Sequence, residues 1–147
     1  MRPQGRAGGG VAGIKLAAGQ RAVAFGAVAD VDDAHVVTIA GSDDALPGTQ
    51  TGAVKVSPLS IYPPKGRATG GVRCQRLLKG EDGLLLAWVG DGRPMASASS
   101  GSPVDLPPVS DRRDGSGVPA AQPIAAVAGP PAVEPAVAAV TPPTMED

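Results

Sequence analysis

Short apolar runs, separated by glycine, proline and acidic residues, organise the first two thirds of the chain. Residues 11–16, 22–28, 35–40, 53–57, 72–78 and 84–89 are rich in Val, Ile and Leu and are bounded by turn formers. That is the pattern of short β-strands. In Gly52-Ala53-Val54-Lys55-Val56 apolar and polar positions alternate. Alternation of this kind predicts that Val54 and Val56 face a core while Lys55 faces water or a ligand. No stretch carries apolar residues at helical spacing between caps. The pattern therefore predicts an all-β fold. From about Pro103 it decays into Pro-, Ala- and Gly-rich sequence with scattered acids. Residues 107–147 are expected to form a disordered acidic tail, because their prolines withhold backbone donors and their small side chains bury little area.

The spacing itself repeats. Gly5-Arg6-Ala7-Gly8-Gly9-Gly10-Val11 returns as Gly66-Arg67-Ala68-Thr69-Gly70-Gly71-Val72, a shift of 61 residues. The same shift carries Lys15 onto Arg76, Leu16 onto Leu77, Gly19 onto Gly80, and Val23 and Phe25 onto Leu84 and Leu86. A single inserted residue would have destroyed this register. One architectural unit of about sixty residues recurs, which suits propeller-like blades better than a sandwich. The units are expected near residues 1–61 and 62–106, forming one domain over 1–106.

Composition narrows the function. Phe25, Tyr62 and Trp88 are the only aromatic residues, so any core is thin and aliphatic. No run approaches the roughly 18–20 apolar residues that span a bilayer, and no secretory signal opens the chain, so no membrane is expected. Cys74 is the only cysteine and His35 the only histidine. Neither a disulfide nor a zinc site can be assembled from them, which fits a reducing cytoplasm. The net charge is −1, but residues 1–80 hold ten Lys/Arg against five acids, while residues 81–147 hold three Arg against nine acids. A basic half followed by an acidic half suggests a polyanion-binding body.

The candidate DNA-binding residues are Arg2, Arg6, Lys15, Arg21, Lys55, Lys65, Arg67, Arg73, Arg76 and Lys79. Arg6 and Arg67 sit in glycine-rich turns just before strands, and further cations follow on the strands. Repeated along a rim, such turns place charge at intervals that suit a phosphate backbone. Other residues admit a sharper and a plainer reading. Tyr62 is either a DNA-cleaving nucleophile or a tyrosine packed at a blade edge, and its neighbour Pro63 favours the second. Cys74, in a strand between Arg73 and Arg76, is either activated by these cations or an inert buried residue. Asp30-Val31-Asp32-Asp33 lacks the later Gly and Glu of a calcium loop and reads as a hairpin turn. Gly8-Gly9-Gly10 has no Gly-Lys-Ser/Thr after it, so it reads as a turn and not a nucleotide cradle. His35 reads as a strand-end residue. No paired carboxylates or Ser/His/Asp set stands at useful spacing, so no catalytic residue is expected in the chain.

These residues also resemble a known family. Arg2-Pro3-Gln4-Gly5-Arg6-Ala7 through Val11-Ala12-Gly13-Ile14-Lys15-Leu16 is similar to the blade motif in the C-terminal domain of the DNA gyrase A subunit. Tyr62-Pro63-Pro64-Lys65-Gly66-Arg67-Ala68-Thr69-Gly70-Gly71-Val72 resembles the motif of a following blade, and Thr51 to Ser60 resembles the strand between them. The likeness covers residues 2–106. It implies a partial β-pinwheel of about two four-stranded blades, out of roughly six in the family's full domain. It also implies double-stranded DNA wrapped on a basic perimeter and a role in the control of supercoiling. The implied parent is the A subunit of an ATP-dependent type II topoisomerase, working in the cytoplasm at the nucleoid. Its catalytic tyrosine, and its ATP and Mg chemistry, would lie in other domains and in the ATPase B subunit. With only two blades, Met1 is expected to open a partial reading frame. The chain lacks the family's glutamine-, arginine- and glycine-bearing box, so the motifs fit gyrase and topoisomerase IV equally. Residues 91–102 are poor in β formers, which predicts an incomplete last blade. The alternative from the residues alone is a non-catalytic β-repeat that binds protein through open strand edges.

Overall fold

The computed structural model describes residues 5–45 and 49–130. Among these residues seven strands form two antiparallel sheets that do not close on each other. They are β1 (Ala34–Gly41), β2 (Ala53–Pro58), β3 (Gly83–Asp91), β4 (Met95–Ser97), β5 (Pro103–Val104), β6 (Val118–Pro119) and β7 (Ala126–Ala128). One sheet has the order β3-β1-β2-β6, the other β5-β4-β7. The all-β expectation holds, and the open sheets fit part of a β-pinwheel. Among the described residues one sheet has four strands and the other three. Strand β4 forms within the Ala/Ser-rich stretch whose composition argues against a strand.

β1 is the central strand because Val36, Val37, Thr38 and Ile39 supply consecutive β-branched residues that favour the pleated backbone. In register, Val37 faces Val56 on one side and Trp88 on the other, and Ile39 faces Val54 and Leu86. Val37, Ile39, Val54 and Val56 form the buried cluster, with Leu106, Ala120, Ile124 and Val127 packed against it. Each fully buried Val or Ile is worth about 1.5–3 kcal/mol, so four of them make a thin core.

Three of its outer members come from the segment expected to be a disordered tail. That expectation is corrected for residues 107–130. Val118 pairs with Val54, and Val127 pairs with Ala96. The Ser110 amide donates to the Val56 carbonyl at 2.8 Å, and the Ala120 amide to Gly52 at 3.1 Å. The reason is that β2 and β4 present free edges, and a partner needs only a backbone to pair with them. Gly117 permits the approach, because a Cβ there would lie 2.8 Å from the Ala53 carbonyl oxygen. Residues 131–147 of the expected tail lie outside the described residues.

The strands expected at residues 35–40, 53–57 and 84–89 are present within β1, β2 and β3. Those expected at 11–16, 22–28 and 72–78 are not. Apart from one bridge at Ile14, these segments form no ladder, and Val11, Ile14, Leu16, Val23, Phe25, Leu77 and Leu78 are exposed. β-propensity alone does not make a strand: residues 22–28 run beside the free edge of β3, where a Cβ on Gly26 would lie 2.6 Å from the Val89 carbonyl oxygen, yet they form no ladder with it.

The 61-residue repeat persists at the level of single hydrogen bonds. The Gln20 amide donates to the Ala17 carbonyl at 3.1 Å, and the Glu81 amide to Leu78 at 3.0 Å. The Gln20 side chain in turn accepts from the Ala17 amide at 3.0 Å, and the Glu81 carboxylate from the Leu78 amide at 2.7 Å. Gly19 and Gly80 occupy the left-handed region at the same point of both turns, with φ of 79° and 91°. A side chain with a Cβ is disfavoured there.

The units are also tied to each other. At the end of β3 the Asp91 carboxylate accepts from the amides of Asp30 and Ala29 at 2.9–3.0 Å. Asp30 is the residue that the 61-residue shift maps onto Asp91. These bonds, to Asp30 first and then to Ala29, hold the Asp91 carboxyl below its ordinary value. A carboxyl depressed by folding adds stability above its unfolded value and loses it as pH falls through the folded value. Asp91→Asn is therefore expected to speed hydrogen exchange at the Ala29 and Asp30 amides at neutral pH. In the unmodified chain the same acceleration is expected only on acidification below the usual carboxylate range. Unchanged exchange in the variant would show that the tie contributes nothing.

Candidate nucleic-acid interface

Arg6 and Arg67 occupy equivalent positions in two like turns. Residues 6–7 and 67–68 are both turns, again 61 residues apart, and both arginines are exposed. The first turn is closed by the Gly8 amide on the Gly5 carbonyl at 2.9 Å. In the second, the Thr69 hydroxyl donates to the Gly66 carbonyl at 2.6 Å. Thr69 thus replaces with a side chain what Gly8 does with its backbone.

The two units meet directly at this point. Ile14 and Thr69 form a parallel bridge. The Lys15 amide donates to the Thr69 carbonyl at 3.0 Å, and the Ala68 amide to Gly13 at 3.1 Å. The arginine turn of the second unit is therefore seated beside the lysine-bearing segment of the first. Ala68 takes φ of 57°, the only left-handed non-glycine among the described residues. Such a conformation costs of order 1 kcal/mol and persists where neighbouring bonds over-determine it. Here its own amide and the adjacent Thr69 carbonyl are both engaged across the junction. The pairing puts Lys15 and Arg67, from different units, on adjoining stretches of backbone.

Arg21, Lys65, Arg73, Arg76 and Lys79 are also exposed. Among the described residues no carboxylate pairs with these cations. Arg2 lies outside the described residues. Lys55 is a correction. Alternation does place it opposite Val54 and Val56, but that face is covered and not wet. Lys55 is only 3% exposed. Its ammonium donates to the carbonyls of Cys74, at 2.7 Å, and Arg113. Burial lowers its pKa, and the fields of Cys74 and Asp114 oppose that shift. Lys55 is a buried tie between segments and not a ligand-facing residue.

The Tyr62 hydroxyl pairs with the Ser57 hydroxyl at 2.8 Å, and burial raises its pKa, with the bond to Ser57 opposing. A phenol held in this way is a poor nucleophile. Cys74 lies in a bend and not in a strand, and it is a free thiol. His35 pairs its Nδ1 with the Gly92 carbonyl at 2.8 Å. The Asp32 amide donates to the Asp30 carboxylate, closing an acidic turn. No metal-ligating cluster occurs among the described residues. None of their helices is long and apolar enough to cross a membrane.

The sequence matches the family of the DNA gyrase C-terminal domain, a β-propeller, over residues 2–29 and 48–85. Two stretches of the chain are thus similar to this family's domain. The matched residues contain both arginine turns and the bridge that joins them. A topoisomerase subunit, TopoM, of Mycolicibacterium smegmatis is 38% identical over 88 residues, which are 59% of this chain and 11% of the relative. The chain thus spans a small part of that relative's length.

Sequence reasoning misses two arginines. Arg112 and Arg113 fall in the stretch read as tail, yet the Arg113 guanidinium donates to the Arg73 carbonyl at 2.8 Å, and the Arg76 amide donates to Gly115 at 3.0 Å. Their doublet, Asp111-Arg112-Arg113-Asp114, is charge-neutral in sequence and gives no signal.

Proposed function

We propose that this chain is a DNA-binding module of the A subunit of an ATP-dependent type II topoisomerase, contributing to the control of supercoiling by holding duplex on the exposed cations of its two arginine turns and the segments that follow them. The observation that carries this reading is the recurrence of one arginine turn in two units, with Lys15 and Arg67 joined across the bridge. The similarity of residues 2–29 and 48–85 to the gyrase C-terminal family, and the similarity to a topoisomerase subunit, support it. The ligand is the duplex backbone, bound without regard to sequence, because the cations belong to turns and extended segments and not to an element shaped for a groove. Strand cleavage and ATP hydrolysis, with Mg, belong in this proposal to other domains of the same polypeptide and to the B subunit, in the cytoplasm at the nucleoid. The chain itself serves no catalytic step.

The test is binding to duplexes of unrelated sequence across a salt series. The expected log–log slope is about −0.9 per neutralised phosphate, with the same affinity for each sequence. A dissociation constant that ignores salt would count against the reading.

A second reading rests on Phe25, which is 95% exposed, and on its exposed neighbour Val23. An apolar segment without a ladder partner is a surface for strand addition, and the chain would then be a non-catalytic protein-interaction module. A stable homodimer that ignores DNA would favour this reading.

A further inference from the structure

The family match ends at residue 85, and residues 110–115 lie well beyond it. In the structure they form a clasp over the arginine-bearing segment at 73–76. The Ser110 amide holds the Val56 carbonyl at 2.8 Å, the Arg113 carbonyl accepts from the buried Lys55 ammonium, and the Gly115 carbonyl accepts from the Arg76 amide at 3.0 Å. The Arg113 guanidinium reaches the Arg73 carbonyl at 2.8 Å. Between these anchors the turn closes on itself, with the Gly115 amide on the Arg112 carbonyl at 3.1 Å.

Four bonds to two other segments fix this turn, yet the Arg112 side chain makes none of them. Arg112 is exposed, as are Arg73 and Arg76 beside it. Asp111 and Asp114 flank the doublet, but the field of Asp114 falls on Lys55. The segments that the clasp joins thus carry five cations (Lys55, Arg73, Arg76, Arg112 and Arg113) against the two carboxylates of the clasp, whose own sequence is neutral. A fixed turn that holds out an unpaired guanidinium, seated on the backbone of the segment that carries the exposed Arg73 and Arg76, suits a phosphodiester, which guanidinium meets through paired donors.

We infer that Arg112 is a DNA-backbone contact, and that the clasp extends the proposed binding surface from Arg67 through Arg73 and Arg76 onto residues outside the gyrase-like repeat. This inference rests on the DNA-binding reading above. The experiment compares Arg112→Glu, Arg112→Lys, Arg67→Ala and Arg93→Glu in the full chain, by duplex titration across salt. Arg93 is another exposed arginine, on the turn after β3. Arg112→Glu is expected to weaken binding roughly tenfold and to lower the salt slope by about 1, whereas Arg112→Lys retains most of the affinity. Arg93→Glu is expected to bind as the unmodified chain does. If Arg67→Ala weakens binding and Arg112→Glu does not, the clasp is no part of the surface while the DNA reading stands. If neither weakens it, the DNA reading fails too. An equal loss from Arg93→Glu would mean that net charge alone is being read, and would overturn the placement. Unchanged hydrogen exchange at the Ser110 and Arg76 amides in Arg112→Glu checks that the clasp is still seated.

Discussion

Replacing Arg6 and Arg67 together with alanine is expected to weaken duplex binding by roughly 10²-fold, uniformly across sequences, and to lower the salt slope by about 2. Both guanidinium groups project from turns whose hydrogen bonds are made by the backbone and by Thr69, so removing them leaves the turns intact. A hydrogen bond to a charged group is worth about 1.5–3 kcal/mol, and two of them exceed the ~2.8 kcal/mol that a hundredfold loss represents. The single variants are expected to fall short of half this effect if one phosphate can slide between cations, and to add if each turn holds its own. Arg67→Ala is expected to be the smaller of the two, since Lys15 sits on the adjoining backbone and can take over part of its phosphate contact. Gel-shift or anisotropy titration reads all three. Affinity that falls for one sequence and not another would contradict a backbone contact.

Lys55→Met is expected to destabilise the fold by about 2–4 kcal/mol without touching the exposed cations. Methionine keeps the length and apolar bulk of the stem but strands the carbonyls of Cys74 and Arg113, which Lys55 alone bridges from β2. Each buried acceptor left unpaired costs about 1–3 kcal/mol, and the relief of a desolvated ammonium returns part of that. Against the roughly 5–15 kcal/mol of a typical domain this is a large share. The clasp loses its central anchor, so DNA affinity should drop as well, by the Arg112 share and no more. The pH dependence is separable. Lys55 titrates lower in the folded chain than in the unfolded one, because burial penalises its charge. Between those two values the unfolded chain binds more protons, so stability rises with pH there. Denaturant titration should find that rise just below the ordinary lysine range in the unmodified chain and not in Lys55→Met. A variant as stable as the parent would show that water satisfies both carbonyls.

The repeat and the β-branched runs carry most of what is legible in the sequence. Val36 to Ile39 and Val54 to Val56 form strands because each run brings its own apolar face to a neighbour of the same kind. The 61-residue register is legible down to Gly19 and Gly80, because a turn that needs a left-handed residue can hardly be built otherwise. What cannot be read depends on edges. Val118–Pro119 and Ala126–Ala128 are Pro- and Ala-bearing segments with little strand preference, and β2 and β4 recruit them through backbone pairing, with Val127 packed on the core. Residues 22–28 have the preference and no ladder. Alternation fixes the face to which Lys55 points, but not that residues 73–76 and 110–115 cover it. The same folding-over turns the neutral sequence around Arg112 into part of a basic surface.

The central claim is that Arg6 and Arg67, equivalent residues of two joined units, both rest on the DNA backbone. It is tested most directly by modifying the intact chain with an arginine-specific dicarbonyl, with and without duplex, and reading each site by mass spectrometry. Duplex is expected to protect Arg6 and Arg67 together, at low salt and not at high, while Arg93 reacts equally in both. Equal modification of Arg6 and Arg67 with and without duplex, under conditions where the duplex is bound, would contradict it.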